Sequence, residues 1–247
     1  FAPGLGGLIQ MLLGWPSIFL IMSLLGLLLL LLVFRDLGET KIIKKNKNTK
    51  SSASFINLFW ESKFWGYSFT LAFSAGTFFS FLGGAPYVAT KVYNLNSVVS
   101  GLVMGFPAAG YFIGNYLSGR YSKFYGIDYM ALRGILLVIF GMFICLVITV
   151  FYRDTPYFFF GLCSFVGLGN GLIIPNASVG ILSVNENLSG TAGGIGNAIM
   201  IGTGAILASL TSYYLENQTS SSYLVFIMLL SGALSYTSLY IFVLRNK

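Results

Sequence analysis

The sequence contains no histidine and few charged residues. Only 9% of its 247 residues are Asp, Glu, Lys or Arg, whereas a soluble domain carries about 25%. So few charges cannot cover a water-facing surface, which excludes a soluble globular enzyme and a disordered chain. The absence of histidine excludes an imidazole metal site and His-based catalysis. Nucleophiles, bases and metal ligands do not cluster anywhere in the sequence, so we expect no metal, no cofactor and no enzymatic activity.

Apolar and small residues are abundant instead. Hydrophobic residues make up 56% of the chain and aromatic residues 17%, and 30 residues are glycine. Both aromatic and glycine enrichment are typical of membrane helices. The two cysteines, Cys145 and Cys163, lie within apolar runs. We therefore interpret them as small buried hydrophobes rather than as a disulfide or a metal pair.

Long apolar runs divide the chain into one partial and seven complete membrane helices. The complete runs have about 18–27 residues, enough to cross a hydrocarbon core of about 30 Å. Barrel strands are shorter and alternate apolar with polar residues, which these runs do not. We predict an all-α integral membrane protein, with the partial helix at residues 1–13 and complete helices at residues 17–34, 65–88, 98–118, 130–151, 157–183, 189–215 and 222–244.

The basic residues predict how the chain is oriented in the bilayer. Seven of the fourteen lie between Arg35 and Lys63. Flanked by long apolar runs, this cluster indicates a cytoplasmic loop rather than a nucleic-acid-binding patch. With the loop inside, twelve basic residues are cytoplasmic and two are external. We predict a multi-pass membrane protein, surrounded by lipid and without a nucleic-acid partner, whose linker and C-terminus are cytoplasmic.

Residues 41–54 are polar, basic and without apolar periodicity, which is typical of a flexible linker. The chain begins with Phe1 inside an apolar run, and we expect an N-terminal part to be missing. The predicted organisation is the end of an N-terminal six-helix bundle at residues 1–35, a basic cytoplasmic linker at 36–64 and a complete C-terminal six-helix bundle at 65–247. The missing N-terminal bundle is the expected partner of this second bundle.

Several prolines, glycines and one asparagine are candidate helix hinges or kinks. A proline inside a membrane helix frees a backbone carbonyl, and small residues let a neighbouring helix approach. A buried amide needs a hydrogen-bond partner, so Asn176 either joins two helices or marks a kinked, cavity-lining helix. The candidates are Pro3, Gly6, Gly7, Pro86, Pro175 and Asn176.

Residues 114–126, GNYLSGRYSKFYG, form a candidate gating or packing motif. Gly119 would permit close approach of a neighbouring helix. Arg120 is expected to make a specific contact between helices. Lys123 either joins this contact or serves as a positively charged anchor at the membrane surface.

Aromatic and polar side chains within the apolar runs are candidates for a substrate cavity. An aromatic surface with a few hydroxyl and amide groups binds lipophilic or amphiphilic molecules through stacking and cation–π contact. Most of the phenylalanines must nevertheless face lipid or the core. The cavity candidates are Phe73, Thr77, Phe81, Tyr111, Asn115, Asn170 and Asn197.

Six motifs occur in a fixed order along the chain: APGLGG (2–7), WPSIF (15–19), LGGAPYV (82–88), GNYLSGRYSKFYG (114–126), IIPNA (173–177) and SGTAGG (189–194). In this order they resemble the major facilitator superfamily and, more narrowly, its Bcr/CflA (bicyclomycin-resistance) drug-efflux family, whose members lie in the inner (plasma) membrane. The resemblance implies helices five to twelve of a twelve-helix transporter. Residues 2–7 then correspond to the antiporter signature of the fifth helix, and Gly119 and Arg120 to the second copy of a cytoplasmic gating motif. Asn115 and Ser118 stand where that motif usually has an acid.

The function implied by the resemblance is proton-driven efflux of drugs or other small molecules by alternating access. A proton-coupled transporter needs a titratable group within the membrane, and no ionisable residue lies near the middle of a complete predicted helix. We expect that group in the missing N-terminal part. The alternatives are an uptake carrier or facilitator of the same superfamily, or a membrane interaction protein that does not transport.

Overall fold

A computed structural model of the protein describes residue 9 and residues 12–36, 51–152, 155–216 and 220–245. These residues form helices and short connections, and no strand occurs among them. Six helices in the described ranges are long and apolar enough to cross a membrane. The predicted all-α membrane architecture is therefore confirmed. The chain divides into two compact units, Phe1–Lys50 and Ser51–Lys247.

The first unit contains helix α1, Trp15–Asp36, which has no buried residue. The helix follows Gly14, whose φ of 79° lies in the left-handed region, where glycine is favoured. The Ser17 hydroxyl then donates to the Gly14 carbonyl over 2.5 Å. The helix thus begins two residues before the predicted Ser17 and ends two after the predicted Phe34. The predicted hinges Pro3, Gly6 and Gly7, and linker residues 37–50, lie outside the described residues.

The second unit is a helical bundle in which two of the α-helices end in a π-helical segment. Helix α3 continues into a π-helix at Val88–Val92 and helix α9 into another at Tyr240–Leu244. A short 3₁₀ turn, Glu186–Leu188, precedes α8. The α-helices are α2 Ser51–Trp60, α3 Ser62–Tyr87, α4 Ser97–Val103, α5 Phe106–Tyr125, α6 Ile127–Phe151, α7 Pro156–Ser183, α8 Ser189–Leu215 and α9 Ser222–Leu239.

Helix α2 occupies the second part of the predicted linker, residues 36–64. Its last turns are apolar, and Leu58 buries its side chain almost completely. The Trp65 indole N–H donates to the Phe59 carbonyl over 2.8 Å, which joins α2 to the start of α3. Among residues 56–60 only Leu58 is buried, and α2 contacts the bundle through this side chain and the Trp65 bond.

The predicted helix 98–118 is not continuous. It is divided into α4 and α5 by a turn at Met104 and Gly105. Pro107 lies in the first turn of α5, where a residue without an N–H loses no helical hydrogen bond. The second half of α5 carries Arg120 and Lys123, which explains why α5 is absent from the six strongly apolar spans.

Helices α3 and α7 lie at the centre of the bundle. Helix α7 packs against α5 and α6, α3 packs against α8 and α9, and the two central helices contact each other. Glycine makes the α5–α7 approach possible. A Cβ atom at Gly167 would lie 1.8 Å from the Pro107 carbonyl oxygen, and one at Gly110 would lie 2.2 Å from the Ser164 carbonyl oxygen. The two backbones therefore touch directly, as small residues allow in membrane helices.

The two predicted kink prolines of this unit lie inside helices. Pro86 is the penultimate residue of α3 and lies two residues before the start of the π-helical extension at Val88. The Thr90 hydroxyl donates to the Pro86 carbonyl over 2.8 Å. Pro175 lies within α7, which continues past it to Ser183. Proline has no N–H for the carbonyl of Gly171, so that carbonyl is left without its usual helical partner.

Basic side chains collect where α5 and α9 end and α6 begins. We call this the basic end of the bundle, defined by Arg120, Lys123, Arg133 and Arg245. The Arg133 guanidinium lies 4.8 Å from the centre of the Tyr129 ring, a cation–π geometry. The helices α3 and α8 begin at this same end because consecutive long helices of the bundle run antiparallel.

Candidate functional site

An apolar cavity of about 450 Å³ lies between α3, α5, α7 and α8. Its volume falls within the range of small-molecule sites, about 300–1,000 Å³. Helices α3 and α8 supply two phenylalanines and a methionine, α5 a tyrosine and α7 an amide. The lining residues are Ala75, Phe78, Phe79, Ala108, Tyr111, Asn170, Ile174 and Met200.

The amide of Asn170 is the polar centre of this cavity wall. Its side chain is 1% exposed, and both amide atoms are bonded to α3. The Ser74 hydroxyl donates to Asn170 Oδ1, and Asn170 Nδ2 donates to Thr77 Oγ1 over 3.3 Å. The Thr77 hydroxyl in turn donates to the Ser74 carbonyl over 2.6 Å. These bonds fix the amide between the two central helices, as a buried polar group requires.

The structure brings three of the predicted cavity residues together. Tyr111 and Asn170 line the cavity, and Thr77 is buried behind Asn170 as its hydrogen-bond partner. Asn115 is half-buried on α5 and donates to the Tyr111 carbonyl of its own helix over 2.9 Å. It therefore stabilises the helix backbone beneath the tyrosine and is not among the lining residues.

The other three predicted cavity residues lie elsewhere. Phe81 is buried in the core, where its ring contacts Phe160 edge-on with centroids 6.2 Å apart. Phe73 is half-buried and stacks on Phe69. Asn197 lines a separate pocket of about 50 Å³ that it shares with Ser178.

Helix faces explain which aromatic residues reach the cavity. Ala75, Phe78 and Phe79 are spaced three and four residues apart and therefore share one face of α3. Phe81 lies four residues after Thr77, on the face that turns into the core. Phe78 and Phe79 were absent from the predicted site because the sequence shows a run of aromatics without showing which face meets α5 and α7.

Part of the predicted gating motif joins α5 to α7. Asn176 Nδ2 donates to Ser118 Oγ over 2.8 Å and to the Leu172 carbonyl over 2.6 Å. Both Ser118 and Asn176 are buried. Asn176, one of the predicted hinge residues, thus bonds across two helices where the motif has serine in place of an acid.

Gly119, Arg120 and Lys123 lie on the exposed side of α5. A Cβ atom at Gly119 would meet no atom within 4 Å, so this glycine is not needed for packing within the second unit. Neither basic side chain forms an ion pair with another residue in the described ranges. Arg120 thus forms no interhelical ion pair within the described part of this bundle, and the specific contact expected of it stays a prediction.

A buried carboxylate at the basic end escaped sequence analysis. Asp128 lies in the first turn of α6 and is buried, and the Tyr67 hydroxyl donates to its Oδ1 over 2.6 Å. A Cβ atom at Gly180 would lie 2.6 Å from the Tyr67 ring, so the ring packs on the α7 backbone. The signal available in the sequence was an acid at a helix start, a favourable position for negative charge.

Comparison with protein families identifies a transporter relationship. A sequence model of the Major Facilitator Superfamily matches residues 1–209, which is most of the chain. This match includes every helix that lines the cavity, except for the last residues of α8. The resemblance to the major facilitator superfamily inferred from the sequence motifs is therefore confirmed.

Three curated relatives are transport or resistance proteins by name. The chain is 28% identical to an uncharacterised MFS-type transporter of Bacillus subtilis over 49% of this chain and 31% of the relative. It is 29% identical to a bicyclomycin resistance protein homolog of Haemophilus influenzae over 85% of this chain and 54% of the relative. It is 24% identical to an uncharacterised transporter of Rickettsia felis over 96% of this chain and 61% of the relative. The chain thus spans less than two thirds of each relative.

Proposed function

The chain belongs to the major facilitator superfamily, a family of membrane transporters rather than enzymes, and from this premise we propose that it is the C-terminal part of a proton-coupled efflux antiporter. Its substrates are lipophilic or amphiphilic small molecules, including drugs. One relative is named as a bicyclomycin resistance protein homolog, which supports efflux over uptake.

The observation that carries the proposal is the apolar cavity between α3, α5, α7 and α8. Its walls combine Phe78, Phe79 and Tyr111 with a single buried amide, Asn170. Aromatic walls bind lipophilic molecules of different shapes through area burial and stacking, and one polar group orients them. This chemistry suits a cavity that accepts many ligands.

Alternating access requires a second wall that moves relative to this one. In transporters built from repeated bundles, the substrate binds near the bilayer midplane where the bundles meet. In this proposal, an N-terminal bundle of the same protein supplies the opposite wall. The two bundles rock about the bound substrate and expose it to each side of the membrane in turn.

The proposed energy source is the proton gradient. None of the residues that line the cavity is acidic, and the buried Asp128 lies at the basic end, at the start of α6. We propose that a proton-coupling carboxylate within the membrane lies in the N-terminal bundle. In this proposal the C-terminal bundle binds the substrate and contacts the N-terminal bundle as the two rock.

The proposed orientation places the basic end in the cytoplasm of an inner-membrane protein. Arg120 and Lys123 are exposed there, and cytoplasmic loops carry an excess of Lys and Arg. A reporter fused after Lys47 should be cytoplasmic and one fused after Asn217 external. Reporters found on the same side of the membrane would contradict this orientation.

Transport by everted vesicles tests the proposed function. Vesicles that contain the full-length protein should accumulate members of a panel of lipophilic and amphiphilic antibiotics, and bicyclomycin, a polar compound, is tested beside them. Accumulation should require a proton gradient and should stop when an uncoupler is added. Vesicles from cells without the protein are the control for passive entry.

Two other results would assign a different role. Gradient-driven movement of substrate in the opposite direction would identify an uptake carrier of the same superfamily. No protein-dependent movement of any solute in the panel, with the protein folded and inserted, would favour a membrane interaction protein that does not transport.

A further inference from the structure

We propose that Asn170 presents a hydrogen-bond donor to the cavity, and that the site therefore selects uncharged lipophilic ligands that carry a hydrogen-bond acceptor. The inference rests on the proposed function, because it names the substrate class of the same cavity. Its basis is the hydrogen-bond arrangement of Asn170, Ser74 and Thr77.

The Thr77 hydroxyl determines which way the Asn170 amide faces. A threonine hydroxyl has one proton to donate, and Thr77 donates it to the Ser74 carbonyl over 2.6 Å. Towards Asn170 the Thr77 oxygen can only accept. The amide atom that lies 3.3 Å from it must therefore be the nitrogen, and the oxygen must face Ser74, whose hydroxyl donates to it.

This arrangement leaves one N–H group of the amide available to a ligand. Nδ2 carries two N–H groups, and its one bond to another described residue is the bond to Thr77. The amide oxygen accepts from Ser74 and is satisfied by that bond although it keeps a second lone pair, whereas the second N–H has no acceptor among the described residues. Because Asn170 lines the cavity and is 1% exposed, its second N–H is a donor held in an apolar surrounding. A buried donor without an acceptor is unfavourable, so a ligand acceptor is stabilised there.

None of the other residues that line the cavity is charged. They are apolar apart from Tyr111, whose hydroxyl can donate or accept. Asn170 is thus the polar group whose direction is fixed by its neighbours. A ligand ammonium would meet an N–H at this point, whereas a carbonyl would meet a complementary donor.

Three matched probes test the proposal on the full-length protein in nanodiscs. Benzophenone has two aromatic rings and a carbonyl, diphenylmethane lacks the acceptor, and protonated aminodiphenylmethane replaces it with a cation. We expect benzophenone to bind about three- to tenfold more tightly than diphenylmethane, as one net hydrogen bond provides. Aminodiphenylmethane should bind more weakly than benzophenone.

Variants assign the preference to the amide. Asn170→Leu should reduce the benzophenone-to-diphenylmethane affinity ratio to about one, and Asn170→Asp should raise the relative affinity for aminodiphenylmethane. Thr77→Val removes the acceptor that orients the amide and should lower the ratio. Thr77→Ser keeps that acceptor and is the matched control, which should retain the wild-type ratio.

A wild-type ratio near one, or a ratio that Asn170→Leu leaves unchanged, would overturn the proposal. So would a failure of all three probes to bind. If Asn170→Leu does not fold, the Thr77→Val and Thr77→Ser pair decides: equal ratios in the two variants contradict an oriented donor. Binding is measured without a proton gradient, so a retained ratio in a protein that moves no solute would refute the proposed transport and leave this inference standing.

Discussion

At the residue scale, glycine determines how closely α5 and α7 approach each other. Gly167 of α7 faces the carbonyl of Pro107, and no side chain fits between the two backbones. Gly161 lies on the same helix, but a Cβ atom there would meet nothing within 4 Å. The two positions therefore separate the effect of packing from the effect of helix propensity.

We expect Gly167→Ala to lower stability and Gly161→Ala to leave it unchanged or slightly raised. The new methyl at 167 forces α5 and α7 apart, and overpacking of this kind costs about 1–3 kcal/mol. Thermal unfolding of the detergent-solubilised variants measures the difference. Equal stabilities of the two variants would show that the α5–α7 contact is looser than described.

Tyr67 tests the importance of the buried carboxylate at the basic end. Tyr67→Phe keeps the ring that packs on Gly180 but removes the hydroxyl that donates to Asp128. Loss of one partner of a buried acceptor should cost about 1–3 kcal/mol. Tyr213→Phe, at a position where the side chain is 74% exposed, is the control in the same unfolding measurement. An unchanged unfolding midpoint for Tyr67→Phe would show that the hydrogen bond between Tyr67 and Asp128 contributes little to stability.

At the element scale, polar side chains connect helices that the sequence predicts separately. Ser231 and Ser235 of α9 donate to the carbonyls of Phe73 and Thr70 on α3, over 2.7 Å and 3.1 Å. Hydrogen bonds between membrane helices stabilise association modestly, about 0.6 kcal/mol on average. Many such bonds, together with glycine contacts, hold the bundle together.

A double-mutant cycle measures one of these bonds across α5 and α7. Ser118→Ala and Asn176→Ala each remove one side of the 2.8 Å bond between them. We expect a coupling energy of about 0.6 kcal/mol, and not above about 1.7 kcal/mol. Asn176→Ala paired with Ser122→Ala is the control cycle, because Ser122 bonds to the Ser118 carbonyl of its own helix. Coupling as large in the control cycle would refute a direct bond.

Helix positions follow from the sequence more closely than helix faces do. Apolar runs predict α1, α3 and α6 to α9 to within about three residues at most ends, because burial in lipid requires about 20 apolar residues for each crossing. The break at Met104 and Gly105 was not visible, since both residues are compatible with an apolar helix. The helical segment α2 was missed because it follows a strongly polar run and, among residues 56–60, only Leu58 is buried.

The sequence predicts that the site is an aromatic cavity with a few polar groups, but it identifies only some of the residues that line it. Buried amides and tyrosines stand out in apolar runs, which identified Tyr111 and Asn170. The choice between Phe81 and its neighbours Phe78 and Phe79 depends on how α3 is rotated in the bundle, and hydrophobicity on all sides of a helix carries little information on rotation. Asp128 was overlooked because it lies at a helix end, where charges are usually solvated.

At the scale of the whole molecule, the proposed transporter binds substrate in the cavity of the C-terminal bundle and couples to protons through the N-terminal bundle. The family match supports transport, and the cavity of about 450 Å³ supports lipophilic substrates. If this division is correct, side chains that line the cavity should affect substrate selection. They should leave the dependence on the proton gradient in place.

Chemical modification inside the cavity tests the central claim most directly. Met200 lines the cavity, and Cys145 and Cys163 are buried. Met200→Cys in a background with every native cysteine of the full-length protein replaced by alanine, Cys145 and Cys163 included, therefore provides a single target. Val150→Cys, at an exposed position of α6 outside the cavity, is the control. Everted vesicles are treated with a thiol reagent and then assayed for drug efflux. We predict that modification abolishes efflux for Met200→Cys alone and that bound substrate slows the modification; undiminished efflux after complete modification at position 200 would contradict the assignment of this cavity to the transport path.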